Sequence, residues 1–150
     1  MRSVTASIEI ARDPAEVWEL VSDPTRYPEW VEATERMLEV SAGEFGLGSV
    51  YREYGGIPPF LSESEWRVTR FEPLSIQTHE GSDGRMRMPL DIELEPTGTG
   101  TRLSMTLGLD PVWYMTPLTA LVWPLMLGKR AQQVFDASVI NAKRLLEEDT

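Results

Sequence analysis

The first residues alternate. Val4, Ala6, Ile8 and Ile10 are interleaved with Ser3, Thr5, Ser7 and Glu9, and this period of two predicts a half-buried β-strand. Asp13-Pro14-Ala15-Glu16 then supplies a helix N-cap, a proline at the first helical position and an acid at the third. Val17, Leu20 and Val21 share the face of the helix that follows. Asp23-Pro24 repeats the start signal, so a second short helix is expected over residues 24–30. Trp18 and Trp30, one on each helix, are expected to plug one end of a sheet.

From residue 31 to residue 109 the period is two. Leu38 and Val40 mark one strand, and a turn rich in glycine (Gly43, Gly46, Gly48) follows it. Residues 50–54 form the next strand, ended by Gly55-Gly56-Ile57-Pro58-Pro59. Ser62, Ser64, Trp66 and Val68 then share one face, opposite Glu63, Glu65 and Arg67. Pro73 separates that strand from another at residues 74–80, and Asp83-Gly84 is a hairpin signal. Met86, Met88, Leu90, Ile92 and Leu94 alternate with Arg85, Arg87, Asp91 and Glu93, and after a turn at residues 96–100 Leu103, Met105, Leu107 and Leu109 alternate with Arg102, Ser104 and Thr106. These read as antiparallel strands with one wet face.

The end of the chain is helical. Thr116-Pro117 is a good start signal, and Leu121, Leu125, Gly128, Gln132, Phe135, Val139, Ala142 and Leu146 follow steps of three or four. Pro124 kinks or restarts this helix, because it removes a backbone donor and crowds the preceding turn. The order is therefore a strand, two short helices, about six antiparallel strands and one long helix, which is an α+β chain read as a single domain over residues 1–150. One long helix must cover the apolar face of a curved sheet. A gap left between them is an apolar pocket.

Composition narrows the function. The 150 residues can bury about 70% of their unfolded surface, enough for a core and a cavity. Absence of cysteine excludes disulfides and thiolate chemistry. With 24 acids against 14 bases the net charge is −10, which repels nucleic-acid phosphates and anionic membrane surfaces. The opening strand lacks the continuous apolar run of a signal peptide. The uncharged stretch at residues 111–128 is interrupted by Pro117 and Pro124 and is not expected to span a membrane. A cytoplasmic location is the default expectation, and oligomeric state is left open.

Candidate chemistry is sparse. One histidine and no cysteine leave a zinc site without ligands, and no cofactor is expected. His79 shares its parity with Gln77 and Ser75, opposite Ile76 and Thr78, and is expected to face outward. Gly43, Gly46 and Gly48 precede a strand rather than a helix, so they read as a turn and not as a phosphate loop. Ser62, Ser64 and Trp66 are small fillers and core, or hydrogen-bonding groups of a cavity. Thr78, Met88, Met105, Leu121, Leu125 and Phe135 are soft core, or the wall of an adaptable pocket. Gln132 interrupts the apolar stripe and lies either over the cavity or at the stripe's edge. Arg52 and Tyr54 share the parity of Val50, and one of them is expected to reach inward as a donor. Trp113 and Trp123 belong either to the core or to a gate. The pocket entrance is expected near residues 55–60 and 111–123, both interrupted by proline.

The string DPAEVWELVSDPTRYPEW after the strand VTASIEIA resembles the opening of the START-like, or SRPBCC, superfamily. The likeness continues through GLGSVYRE, WRVTRFEPLSIQTHE, GTGTRLSMTL and the helix ending AKRLLEE, nearly the whole chain. It implies the helix-grip fold of pollen-allergen-type proteins, lipid-transfer domains and polyketide cyclase/dehydrase-like proteins. The function it implies is binding of a small hydrophobic or lipid-like molecule. Three readings follow: a carrier; a polyketide cyclase using Arg52, Tyr54, Ser64 and Gln132; and a protein-interaction module with a filled core. No catalytic set of the family can be placed on these residues.

The charge balance makes a direct prediction. At physiological salt the purified chain should not retard duplex DNA or structured RNA in a mobility-shift experiment, since it offers no counterion-release gain. Micromolar, salt-sensitive retardation would contradict it.

Overall fold

The structure is a computed structural model that describes residues 2–111 and 128–148. Strand β1 (Arg2–Ile10) leads into helix α1 (Pro14–Val21), a 3₁₀ turn (Pro24–Arg26) and helix α2 (Tyr27–Trp30). Six strands follow: β2 (Thr34–Val40), β3 (Val50–Ile57), β4 (Phe60–Glu72), β5 (Ile76–Ser82), β6 (Met86–Pro96) and β7 (Thr101–Pro111). Helix α3 (Gly128–Glu148) closes the chain's described part. The expected α+β helix-grip architecture is the one observed.

The start signals act as read. The Asp13 carboxylate accepts the Glu16 N–H at 3.0 Å, and Asp23 caps the 3₁₀ turn through the Thr25 N–H at 3.1 Å. Trp18 packs against Phe71 with ring centroids 5.3 Å apart, and Trp30 is fully buried edge-on to Tyr27. The two short helices thus close one end of the sheet, α1 against β6 and β7 and α2 against β2 and α3.

All seven strands form one antiparallel sheet in the order β1-β7-β6-β5-β4-β3-β2. Leu90, Ile92 and Leu94 of β6 and Leu103, Met105, Leu107 and Leu109 of β7 are buried on the concave face. Arg85 and Arg87 lie exposed on the other parity. From α3, Ala131, Phe135, Ser138, Val139 and Ala142 meet that face. Hydrogen bonds fix the helix along β1: Gln132 donates to the Thr5 carbonyl at 2.9 Å, and Lys143 to the Glu9 carbonyl at 3.3 Å. Glu32 N–H donates to Ser138 Oγ at 2.9 Å and ties the chain after α2 to the same helix.

Two boundaries differ from the sequence expectation. Strand β3 does not end at Tyr54 but runs through the glycine pair to Ile57. The reason is proximity: a Cβ on Gly55 would lie 1.8 Å from the Ala33 carbonyl oxygen, which accepts the Gly56 N–H at 2.8 Å. Glycine here admits a neighbouring backbone rather than ending the strand. Strand β5 begins at Ile76 instead of Leu74, because Leu74 sits at φ +68° in a turn closed by Ser75 N–H to the Glu72 carbonyl at 3.0 Å.

Gly55 and Gly98 therefore separate two roles of glycine. Gly55→Ala should lower the unfolding free energy by at least about 2 kcal/mol, because a backbone carbonyl must move. Gly98→Ala, with open space around the added carbon, should stay within about 1 kcal/mol of the parent. Urea denaturation of both variants measures the difference, and equal effects would contradict the packing described.

Candidate functional site

Helix α3 lies over β1 and touches β7 and β3, which leaves the concave face of the central strands uncovered by it. Among the described residues this leaves a space of about 440 Å³. Met86, Met88, Leu90, Ile92, Met105, Leu107, Leu109 and Phe135 supply its apolar walls. Gly55, Gly56, Ile57, Pro59, Phe60 and Leu61 line it at the β3–β4 hairpin, where Phe60 is half exposed. This is the first of the two segments expected at an entrance. The second, residues 111–123, lies almost wholly outside the described residues, as do Leu121, Leu125, Trp113 and Trp123.

One side of the space is polar and aromatic. The hairpin register sets Tyr51 opposite Trp66 and Glu53 opposite Ser64. Opposed residues of an antiparallel pair share a face, so all four side chains turn inward. Trp66 lies across Gly81, where even a methyl group would come within 2.5 Å of its ring. Its indole N–H donates to Ser64 Oγ at 2.9 Å, and its ring stacks on Tyr51 at 6.2 Å with the planes 4° apart. Glu53 accepts the Thr34 hydroxyl on Oε2 at 2.7 Å. Behind this wall, Tyr51 Oη and His79 Nδ1 are 2.6 Å apart, and His79 Nε2 lies 2.8 Å from Gln77 Oε1. With Nε2–H donating to that amide oxygen, Nδ1 accepts from the tyrosine, and the imidazole is neutral and satisfied at both nitrogens.

Burial governs the titration of this wall. Desolvation pushes the Glu53 carboxyl up to about 7, opposed by the hydrogen bonds of Thr34 and Trp66 that favour its ionised form. Desolvation lowers His79 to about 4. Tyr27 and Tyr51 are both raised well above the ordinary phenol value, first by burial and then by neighbouring negative charge that includes Glu53.

Ser62, Ser64, Trp66, Met88, Met105 and Phe135 come together around the space. Four others do not. Arg52 lies on the outer face and pairs with Glu63 at 3.0 Å and Glu39 at 3.5 Å. Tyr54 is also outside, beneath the Arg36 guanidinium at 4.9 Å. Thr78 donates to Asp91 at 2.6 Å on that same outer face. Gln132 sits at the edge of the helical stripe, bonded to the Thr5 carbonyl and to Asp136. His79 is corrected in the opposite sense, since it is fully buried rather than outward. In both strands the first apolar residue points to the wrong parity. Val50 and Ile76 are the first residues of their strands and lie on the parity opposite Tyr51 and His79.

Tyr51, Glu53 and His79 were absent from the sequence-derived candidates, yet a signal existed. With Ser64 and Trp66 read as inward, a two-residue hairpin over Pro58-Pro59 places Glu53 and Tyr51 opposite them. Among the described residues no three His, Asp or Glu side chains converge to hold a metal ion. No helix among them is long and apolar enough to cross a membrane.

The opposed shifts predict a stability that is nearly level between about pH 4.5 and 6.5, because the two contributions change in opposite directions there. The unfolded chain takes up a proton on His79 below about pH 6.5, whereas the folded chain resists until about pH 4. Stability is therefore lost as pH falls through that window. Glu53 keeps its proton to about pH 7 when folded but releases it near 4.5 when unfolded, so its contribution is lost as pH rises from 4.5 to 7. Each window amounts to about 3 kcal/mol. Urea midpoints, nearly level over that range in the unmodified chain, should fall as pH rises from 4.5 to 7 in His79→Gln and fall as pH drops from 6.5 to 4 in Glu53→Gln. Unchanged profiles would contradict the burial of these groups.

Comparison with known proteins places this geometry. Residues 1–147 match the family described as polyketide cyclase / dehydrase and lipid transport. Toxin Rv0910 of Mycobacterium tuberculosis is 24% identical over 123 residues, covering 81% of this chain and 85% of its own. A START superfamily protein from Mycobacterium smegmatis superposes with a TM-score of 0.76 at 16% identity, over 99% of both chains. The ZhuI aromatase/cyclase from Streptomyces superposes at 0.70 and 13% identity, over 99% of this chain and 97% of its own. The match over nearly its full length makes the chain a member of the polyketide cyclase/dehydrase and lipid transport family.

Proposed function

We propose that the chain binds a small hydrophobic molecule between α3 and the concave face of the sheet. The observation that carries this reading is the unfilled space of about 440 Å³ with apolar walls and one polar side, the scale and composition of small-molecule sites. The apolar body lies against Met88, Met105, Leu107 and Phe135, and Ser62, Ser64 and Glu53 orient its polar end. The family description supports the same reading through lipid transport. A protein-interaction module with a filled core is disfavoured by that space.

The family also supports a second reading, chemistry on a polyketide-like substrate. Of the groups considered for it from sequence, only Ser64 lines the space, while Arg52, Tyr54 and Gln132 lie elsewhere. What favours it is Glu53, a cavity carboxyl near pKa 7, since proton transfer works best when the group's pKa lies near the working pH. Binding is common to both readings.

Binding is tested with neutral probes. Saturating 1-octanol or 2-naphthol should raise the melting temperature by several degrees through ligand linkage. Ser64→Phe, which fills the space from β4, should remain cooperatively folded and lose the rise. If neither probe shifts the parent and Ser64→Phe unfolds, the interior is packed core and the binding reading fails.

A further inference from the structure

Glu53 is 8% exposed and lines the cavity. Its Oε2 accepts the Thr34 hydroxyl at 2.7 Å, and the Trp66 indole N–H lies near enough to favour its ionised form. Neither of these donors is a cation, and the neighbouring donors have further partners. Trp66 N–H goes to Ser64, Tyr51 O–H to His79, and Tyr27 O–H to the Val21 carbonyl at 3.2 Å. No lysine lines the space among the described residues, and Arg85 is an exposed rim residue that shares its rim with Asp83. The sequence of residues 112–127 contains no charged side chain. Among the described residues the buried carboxylate therefore lacks a counter-cation, an arrangement that is costly unless a partner charge arrives.

The groups beside Glu53 are aromatic. Tyr27, Tyr51 and Trp66 line the same space, Trp66 stacked on Tyr51 and Tyr27 edge-on to Tyr51 at 5.7 Å. Aromatic faces attract a cation and gain most when water is excluded. A carboxylate among aromatic rings is an environment for an ammonium group.

We propose that the cavity selects amphiphilic amines, with the protonated head against Glu53 and the rings of Tyr27, Tyr51 and Trp66, and the apolar body along Ile92, Leu107 and Phe135. This deepens the ligand-binding reading and rests on it. A fatty acid would set a second carboxylate beside Glu53, where like charges oppose one another. A fatty alcohol would offer a hydrogen bond without the charge. The near-neutral titration of Glu53 adds a pH dependence, because an ammonium favours its ionised form. The titratable and charged groups around it are Tyr27 from α2, Tyr51 on its own strand, His79 behind Tyr51, and Asp83 and Arg85 at the rim. From β2, β4 and α3 the packed groups are the uncharged Thr34, Ser64, Trp66 and Phe135.

The test compares octylamine, 1-octanol and octanoate by titration calorimetry on the whole chain, below their aggregation concentrations. At about pH 8 octylamine should bind at least about tenfold tighter than octanol, with octanoate weakest. Glu53→Gln removes one acid of 24, so general surface attraction for amines persists while the amine's advantage over octanol should fall to within about threefold. On the unmodified chain that advantage should also shrink toward about pH 5, as Glu53 takes up its proton. This second measurement decides the matter should the variant not fold. Octanol or octanoate binding as tightly as the amine, or an advantage that survives both Glu53→Gln and acidification, would overturn the amine selectivity while leaving hydrophobic binding intact. Failure of all three probes to bind would overturn the binding reading and the selectivity with it.

Discussion

A helix is about 10–12 Å across, and seven strands at about 4.8 Å spacing extend over about 29 Å. That mismatch governs this molecule. Helix α3 lies over β1 and reaches β7 and β3, so it seals one margin of the concave face. Helices α1 and α2 close one end with Trp18 and Trp30. Among the described residues neither device covers the middle of β3 to β6. Antiparallel alternation still turns every second residue of those strands inward, so the uncovered middle is a lined concavity whose chemistry depends on which residues the register presents.

The register presents two unlike walls. On β6 and β7 the inward residues are aliphatic or methionine, side chains that adapt to shape and offer little direction. On β3, β4 and β5 they are Tyr51, Glu53, Ser64, Trp66, Gln77 and His79, and most of their hydrogen bonds are made within the wall. A polar wall is tolerable in a core only when its members satisfy one another. The His79 relay does so through Tyr51 and Gln77, which explains an imidazole kept neutral. Gln77 keeps one buried amide N–H without a partner, and Glu53 is the ionisable member that lines the cavity without a counter-cation among the described residues. The group that is costly to bury is thus where a ligand can interact most strongly.

The architecture was legible because its signals are local. Asp13-Pro14 and Asp23-Pro24 mark helix starts through capping, and the alternation of β6 and β7 is clean because one face meets only apolar neighbours. The polar wall was harder to read for a physical reason. Its inward residues are polar, so alternation of hydrophobicity carries no information about them, and the apolar residues at the strand ends, Val50 and Ile76, point to the wrong parity. Cross-strand pairing does carry the information. Trp66 and Ser64, read correctly as inward, fix Tyr51 and Glu53 once the hairpin over Pro58-Pro59 is counted, as Leu90 fixes His79 across β5 and β6. Periodicity leaves Gln132 open between its two alternatives, because it places a residue on a stripe without showing that the Thr5 carbonyl lies beside it.

The account's central claim is that the uncovered middle of the sheet is where a ligand sits. Methyl-labelled methionine reports on it directly. Met86, Met88 and Met105 line the space, whereas Met37 on β2 packs at its edge of the core without lining it. Titrating an apolar ligand while following the methionine methyl resonances should shift Met86, Met88 and Met105 together along one binding curve and leave Met37 in place. A bound ligand that leaves those three unmoved would place binding elsewhere and contradict the account.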